Sequence, residues 1–190
     1  NSSLGIGFVN IDPDLDGVLR RLPIVAEING MLAPHFILRL LCAHLDYDPG
    51  KIEVKSKRKL ILHEFPVGKK DVEIPLDGRG NMLINYISYD KVKRLVEAGE
   101  FANLSAWDIK NTGIIDFADK TVIFGDNSAA EKENSITPMD GLLHNQLIYA
   151  MAMSNILEEE FVNISSPQAT LALFIVFLFL FILIASRVDA

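Results

Sequence analysis

The sequence has almost no cysteine and a shortage of positive charge. Cys42 is its only thiol, so no intrachain disulfide can form and an apolar core must hold the domain together. The chain is long enough to build such a core. Lysine and arginine number 18 against 25 aspartates and glutamates, for a formal net charge of −7. This balance argues against nucleic acid as a partner and against adhesion to an anionic lipid surface.

Complete catalytic motifs are also absent. His63-Glu64 is followed by Phe-Pro-Val, so the second histidine of a zinc-protease helix is missing. Gly125-Asp-Asn-Ser128 lacks the Gly-x-Ser-x-Gly nucleophile elbow, and Gly5-x-Gly7 lacks the third glycine of a dinucleotide-binding turn. No phosphate-binding Gly-Lys-Ser/Thr loop occurs. We therefore expect no catalytic residue and no cofactor in these residues.

Three titratable residues that flank one loop leave an enzyme alternative open. Asp126, Asp140 and His144 could gather around a metal ion and serve a membrane-tethered extracytoplasmic hydrolase. His144, however, is predicted to lie in the first turn of a helix, where the positive end of the helix dipole favours a neutral, packed ring. We therefore interpret His144 as a structural histidine.

The most suggestive motif is the acidic turn Asp12-Pro-Asp-Leu-Asp-Gly17, which reproduces the first half of an EF-hand calcium loop. The twelfth position of that loop must be a bidentate glutamate, but it is Pro23 here, and the ninth is Arg20. A bound cation would lose its strongest ligand and meet positive charge. We predict instead a structural turn without metal, whose aspartates accept backbone N–H bonds and pair with Arg20 or Arg21.

The longest apolar run extends from residue 171 to residue 185. With its neighbours it forms about 18 uncharged residues, or roughly 27 Å of helix, close to the ~30 Å hydrocarbon core of a bilayer. Apolar side chains occupy every face, which excludes an amphipathic surface helix. We predict a transmembrane helix over 169–186, whose lipid-facing residues include Leu171, Phe174, Phe177, Phe181 and Ile184.

Charges on the two sides of this run predict its orientation. Glu158-Glu-Glu160 precedes it and Arg187 follows it, so the positive-inside rule places the C-terminus in the cytoplasm. We expect an extracytoplasmic domain over 1–161, a juxtamembrane linker over 162–168 and a truncated cytoplasmic start over 187–190. Since the chain begins at Asn1 rather than methionine, we expect it to be a fragment of a longer protein.

Short apolar stretches alternate with helical patterns before the run. Periodicity and turn residues predict strands over 6–11, 22–28, 52–54, 60–62, 72–74, 82–87 and 121–125, the last of them buried. Helices are predicted over 34–45, 89–98 and 141–161, with Pro34 in a first turn, Gly99 as a C-terminal cap and Asp140 as an N-cap. A polar loop is predicted over 126–137. This alternation predicts an α/β or α+β fold, a single domain with one mixed sheet partly covered by helices.

The segment from Asn10 to Pro23, Asn-Ile-Asp-Pro-Asp-Leu-Asp-Gly-Val-Leu-Arg-Arg-Leu-Pro, resembles the opening signature of the second family of CHASE domains. Further matches follow in the family's order: Ile74-Pro75, Asp77-x-x-Gly80, Ile84-Asn85, Val122-Ile-Phe-Gly125, Thr137-Pro138 and Gly141-x-x-His144. The chain departs from the family pattern at Asn145, where alanine is typical, and at Asp119-Lys120. The resemblance covers about residues 7–157. Its signature positions, which we expect to be structural, are Asn10, Asp14, Asp16, Gly17, Arg20, Arg21, Gly125, Pro138, Gly141 and His144.

This resemblance implies a sensor domain of the kind that lies outside bacterial cyclases, histidine kinases and serine/threonine kinases, ahead of their transmembrane helices. It implies that an undefined extracytoplasmic signal acts through the inner membrane on a cytoplasmic effector that follows residue 190. It also implies a homodimer, because effectors of this kind generally act as dimers. A passive structural ectodomain remains a further alternative, beside the hydrolase.

The helix predicted over 141–161 would connect the domain to the span. Its apolar surface is wider than one narrow stripe, so part should cover the sheet and part could meet a second protomer. These apolar residues are Leu143, Leu147, Ile148, Met151, Ile156 and Leu157. We predict that residues 141–161 and 170–186 act together as an output lever, with Ser165-Ser-Pro167 as a hinge that could decouple them.

Overall fold

The computed structural model describes residues 6–97, 121–125, 134–139, 141–163 and 167–188. Its strands are β1 (Arg21–Pro23), β2 (Val25–Ile28), β3 (Met31–Pro34), β4 (Ile52–Ser56), β5 (Lys59–Phe65), β6 (Lys70–Pro75), β7 (Asn81–Leu83), β8 (Asn134–Thr137) and β9 (Gly141–His144). Its α-helices are α1 (Phe36–His44), α2 (Tyr89–Glu97), α3 (Asn145–Leu157) and α4 (Pro167–Val188). A short 3-10 turn, Pro49–Lys51, precedes β4.

The strands pair into small antiparallel sheets, which confirms the α+β form of the predicted class. In the described ranges β4, β5 and β6 form a three-stranded sheet, and the others pair two by two as β1–β7, β2–β3 and β8–β9. Isolated parallel bridges join Phe8 to His35 and Val18 to Ile136. The segment 18–23 therefore contacts β8 through Val18 and β7 through β1.

One contiguous apolar core joins the three-stranded sheet, α1 and α3. Each aliphatic side chain buried there stabilises the fold by about 1.5–3 kcal/mol relative to its exposed state. The largest fully buried side chains are Phe65, Leu19, Leu22, Ile24, Ile37, Leu38, Leu41, Leu60, Leu62, Ile74, Met82 and Ile148.

The strands predicted around 52–54, 60–62 and 72–74 are confirmed as β4, β5 and β6. The helix predicted over 89–98 is confirmed as α2, whereas its proposed cap, Gly99, lies outside the described residues. The predicted strand 82–87 is shorter, because β7 ends at Leu83. Beyond β7, the backbone of Asn85 is hydrogen-bonded to the side chain of Asn155. The Asn85 N–H donates to Asn155 Oδ1, and the Asn85 carbonyl accepts from Asn155 Nδ2.

The predicted N-terminal strand 6–11 is wrong, because only Phe8 forms a bridge there. Phe8 N–H donates to the carbonyl of Pro34 at 3.2 Å, and Phe36 N–H donates to the carbonyl of Phe8 at 2.9 Å. The partner chain then turns into α1, so it offers no further extended backbone. Ile6 and Val9 are correspondingly exposed.

The predicted strand 22–28 is divided at Ile24, where the chain changes partner. Ile24 N–H donates to the carbonyl of Gly80, and His35 N–H donates to the carbonyl of Ile24. The hairpin β2–β3 was not predicted beyond its turn at Asn29-Gly30, and Pro34 lies in β3 rather than in a helix. His35 is the N-cap of α1, and its Nδ1 accepts the Ile37 N–H at 3.3 Å.

The predicted loop over 126–137 and helix over 141–161 are also corrected. Residues 134–137 form β8, and Gly141–His144 forms β9 opposite it. Gly141 has a φ of +67°, which a helix interior does not accept, so α3 begins only at Asn145 with His144 as its N-cap. The proposed N-cap, Asp140, lies outside the described residues.

The apolar surface of α3 is used inside the protomer. Leu147, Ile148, Met151 and Ile156 are at most 7% exposed. These four residues therefore belong to the part of the helix surface that packs within the protomer, and a contact of α3 with a second protomer stays a prediction for its other residues. The helix ends at Leu157, and the chain continues to residue 163 without helix.

The buried strand predicted over 121–125 is not present. These five residues form no strand, and Val122 and Phe124 are 54% and 82% exposed. A short apolar run becomes a buried strand only where packed layers cover both of its faces. Here one face of the run is open.

Candidate functional site

Four charged side chains of the opening segment meet in one ion-pair network. Arg20 Nη1 lies 3.0 Å from Asp14 Oδ2, and its Nη2 lies 2.8 Å from Asp16 Oδ2. Arg21 Nε lies 3.3 Å from Asp14 Oδ1. Gly17 allows the turn between them, because its φ of +80° is a conformation that favours glycine. The structure thus contains the expected contacts between the aspartates and the arginines.

Arg21 extends this network to a second turn, which is built on Asp77. Arg21 Nη1 lies 3.0 Å from Asp77 Oδ2, and the Asp77 side chain is only 3% exposed. Asp77 Oδ1 accepts the backbone N–H groups of Arg79 at 2.8 Å and Asn81 at 3.2 Å. Gly80 has a φ of +90°, and a Cβ there would lie 2.5 Å from the Val25 carbonyl oxygen. The network therefore holds together two turns that are distant in sequence.

These contacts determine the charge state of the carboxyl groups. Hydrogen bonds from the Arg20 guanidinium and the Val18 N–H lower the pKa of Asp16 to about 2. For Asp77, burial acts to raise the pKa, but hydrogen bonds from Asn81, Arg79 and Arg21 outweigh it, and the pKa lies below its ordinary value. Both carboxylates are therefore ionised at neutral pH, and donors of the chain itself occupy their oxygens. Within the described ranges no three His, Cys, Asp or Glu side chains are grouped to hold a metal ion.

The later signature residues lie around the hairpin β8–β9. Pro138 is exposed in the turn of this hairpin, and Gly141 is the first residue of β9. His144 closes β9, and its Nδ1 contacts Asn134 Oδ1 directly across the hairpin. The hairpin is joined to the opening segment, because Leu19 N–H donates to the Ile136 carbonyl at 2.7 Å.

Two signature residues lie apart from both groups. Asn10 is exposed and is not part of the ion-pair network. Gly125 lies against the Gln146 side chain at the start of α3, so a Cβ at this position would require Gln146 to move. The structure therefore brings together Asp14, Asp16, Arg20 and Arg21 around the turn at Gly17, and it places the other five signature positions elsewhere.

The helix α4 is long and apolar enough to cross a membrane. Its best window, Gln168–Ala185, has a mean hydropathy of 2.7 and is not buried in the protein. Phe174, Phe177 and Phe181 are each more than 60% exposed, with Leu171 and Ile184 similarly open. In the ranges that the structure describes, this is the one helix that meets the criterion.

A comparison with known protein families assigns the chain. A model of the CHASE2 domain matches residues 2–185, which is nearly the whole length. The chain belongs to the CHASE2 family. The match extends beyond the resemblance over 7–157 and includes most of α4. No curated protein and no solved structure matches the chain.

CHASE2 domains are extracellular, sensor-type domains, and a candidate membrane helix beside such a domain fits a membrane protein. The resemblance to this family is therefore confirmed. Of the three residues in the hydrolase alternative, Asp126 and Asp140 lie outside the described residues. The third, His144, contacts the Asn134 amide.

Four buried or half-buried residues of this CHASE2 domain were not singled out by sequence as site residues. Asp77 had a visible signal in its Asp-x-x-Gly turn, and Asn155 is a polar residue on an otherwise apolar helix face. His35 is fully buried, and burial lowers the pKa of its ring to about 4. Arg39 lies one turn before Cys42 on α1 and carries no sequence signal.

Proposed function

We propose that this chain is the extracytoplasmic input domain of a bacterial transmembrane receptor, which regulates a cytoplasmic effector such as a nucleotide cyclase or a protein kinase. The observation that carries the proposal is the CHASE2 match over 2–185, which joins an α+β domain to a helix of membrane-spanning length. The effector would follow residue 190 in the full protein.

The proposed orientation rests on the charges beside α4. Glu158 and Glu160 are exposed before it, and Arg187 follows the apolar run. Positive residues are retained on the cytoplasmic side of a bilayer, so the C-terminus would be cytoplasmic and residues 6–163 extracytoplasmic, at the inner membrane.

The proposed mechanism is a shift between two arrangements of the segment that joins the domain to α4. A signal can move such an equilibrium only by as much as it prefers one arrangement over the other. Lys70 Nζ lies 3.0 Å from Glu159 Oε1, so this ion pair connects β6 to the segment that follows α3. A change in the three-stranded sheet would therefore reach, through this ion pair, the residues where the chain leaves the domain.

We expect the working unit to be a homodimer. Since the apolar face of α3 is buried in its own protomer, a dimer contact near the membrane would involve the exposed residues that follow it. These include Glu158, Glu160, Val162 and Asn163.

The orientation is tested with two reporters fused in turn after Ala190 in a bacterial host. Alkaline phosphatase is active only in the periplasm. Green fluorescent protein fluoresces when it stays in the cytoplasm, but not when the general secretory route exports it. We expect fluorescence without phosphatase activity. Fusions truncated after Asn163, which lack α4, serve as the control for expression. Phosphatase activity after Ala190 would reverse the orientation and remove the extracytoplasmic assignment.

A further inference from the structure

A cavity of about 220 Å³ lies between the hairpin β2–β3, helix α1 and strand β4. Among the described residues that line it, all except Arg39 have apolar side chains. Val25 and Leu38 are buried at its inner side, and Ile52 is half-buried. Leu32 of β3, which is 62% exposed, stands at its rim. The cavity therefore has an apolar interior with access from solvent.

Arg39 is the only charged side chain among the described residues that line this cavity. Its Nε is buried and has no hydrogen-bond partner among the described residues. Within the described part of the chain its guanidinium forms no ion pair. By contrast, Arg20 and Arg21 each contact two carboxylates, and they share that of Asp14. The nearby carboxylate of Asp48 accepts the Gly50 N–H at 2.8 Å and does not line the cavity.

A buried guanidinium nitrogen without a partner is costly, and its planar donors match a carboxylate. An apolar cavity of roughly 150 Å³ holds benzene, so this cavity has room for an apolar body of about six to ten non-hydrogen atoms. Phosphate and other strongly hydrated anions need several hydrogen-bond donors to replace their water. Arg39 is surrounded by apolar lining residues, so the cavity does not suit such anions.

We propose that this cavity binds a small organic anion, with its carboxylate on Arg39 and its apolar body between α1, β3 and β4. This cavity would be the place where the proposed sensor binds its signal, and that interpretation rests on the proposed function. Helix α1 carries Arg39 towards the cavity and Phe36 towards α3, where the Phe36 and Tyr149 rings lie 4.7 Å apart between centroids. The ligand would thus touch the helix that packs on α3.

Binding is tested on the full chain in detergent micelles, with benzoate as the probe and benzamide as its neutral counterpart. Titration calorimetry, corrected with empty micelles, should show saturable benzoate binding and at least about tenfold weaker benzamide binding. Cys42 gives a second readout, because it is the only thiol of the chain and it lines the cavity. Benzoate should slow its modification by methyl methanethiosulfonate, and benzamide at the same concentration should not.

The matched variants are Arg39→Gln and Arg58→Gln, which remove the same charge. Arg58 is exposed in the β4–β5 turn and does not line the cavity. We expect Arg39→Gln to reduce benzoate affinity to that of benzamide, Arg39→Lys to retain more of it, and Arg58→Gln to leave it unchanged. Equal binding of the two probes by the native chain would overturn the proposal even if Arg39→Gln fails to fold. Absence of both benzoate heat and Cys42 protection would overturn it as well.

This experiment separates the site from the sensor role. Arg39-dependent binding together with periplasmic reporter activity after Ala190 would retain the site and refute the proposed orientation. Cytoplasmic fluorescence without benzoate binding would retain the orientation and refute the site.

Discussion

At the scale of single residues, Asp77 has the most concentrated set of bonds in the ion-pair network. Its carboxylate accepts from Arg21, from the Asn81 side chain and from two backbone N–H groups. Each such bond to a buried charged group matters because water cannot replace it.

We expect Asp77→Ala to lower the free energy of unfolding by about 1–3 kcal/mol, because Arg21 and the turn N–H groups lose their common acceptor. Asp16→Ala, which removes an exposed carboxylate of the same network, should have a smaller effect. Urea unfolding of the two variants, followed by circular dichroism, makes the comparison. Equal losses would mean that Asp77 does not connect the two turns as its geometry indicates.

His63 makes the stability of the three-stranded sheet sensitive to pH. Its Nε2 lies 2.9 Å from Glu53 Oε2 of β4, and its Nδ1 lies 3.0 Å from Asp71 Oδ2 of β6. The ring of His63, which is in β5, therefore connects all three strands. The hydrogen bonds to Glu53 and then Asp71 raise its pKa above the ordinary 6.5. Its stabilisation is therefore fully present below pH 6.5 and is lost as the pH rises through the raised pKa.

We accordingly expect His63→Gln to lower the melting temperature at about pH 5 and to have a smaller effect at about pH 9. His44→Gln, which changes an exposed histidine at the end of α1, is the control. Melting curves that shift equally at both pH values would show that the His63 charge does not contribute.

At the scale of elements, the hairpin β2–β3 depends on the backbone of its two turn residues. Asn29 and Gly30 have φ values of +53° and +77°, as a two-residue turn between twisted strands requires. The hairpin forms one wall of the Arg39 cavity, so its register places Leu32 at the rim.

We therefore expect Gly30→Ala to lower the free energy of unfolding by about 1–2 kcal/mol, because the Cβ of alanine strains the backbone at this φ. No atom of the described residues lies within 4 Å of a Cβ at Gly30, so the cost comes from the backbone and not from a clash. Asn29→Gly is the matched control and should be close to neutral. Urea unfolding curves of the two variants measure these changes in stability. A Gly30→Ala variant as stable as the native chain would contradict the turn geometry.

At the scale of the whole molecule, the output lever has to be restated. The helix ends at Leu157, and six residues without helix follow before the undescribed 164–166. A rigid helical connection over 141–161 is therefore excluded, whereas transmission through an ordered segment at 158–163 stays a prediction.

We expect single cysteines in a Cys42→Ser full-length receptor to crosslink between protomers at Ser154, Glu158, Glu160 or Val162, which are exposed. Cysteines at Leu147, Ile148 or Met151 should not crosslink, because these positions are buried. Yields that change together with effector activity would support transmission through this segment. If no position crosslinks and output survives a flexible Gly/Ser insertion after Ser166, the domain is a passive scaffold.

Local pattern was sufficient for the parts of this protein whose partners are near in sequence. The strands β4, β5 and β6 follow from alternation and turn residues, because each pairs with its sequence neighbour. The contact of Arg20 with Asp16 needs only four residues of spacing. The apolar run 171–185 predicts α4 by its length and composition alone.

Distant partners decided the rest. Ile24 divides a strand because Gly80 and His35 take its backbone groups, and Asn155 ends the pairing after β7 from 70 residues away. The residues 141–144 look like the start of a helix until β8 is placed opposite them. Arg39 likewise becomes part of a candidate ligand site only because β3 and β4 enclose it and none of the described residues that line the cavity is acidic. These features depend on which surfaces meet when the chain folds, and periodicity within a short window does not contain that information.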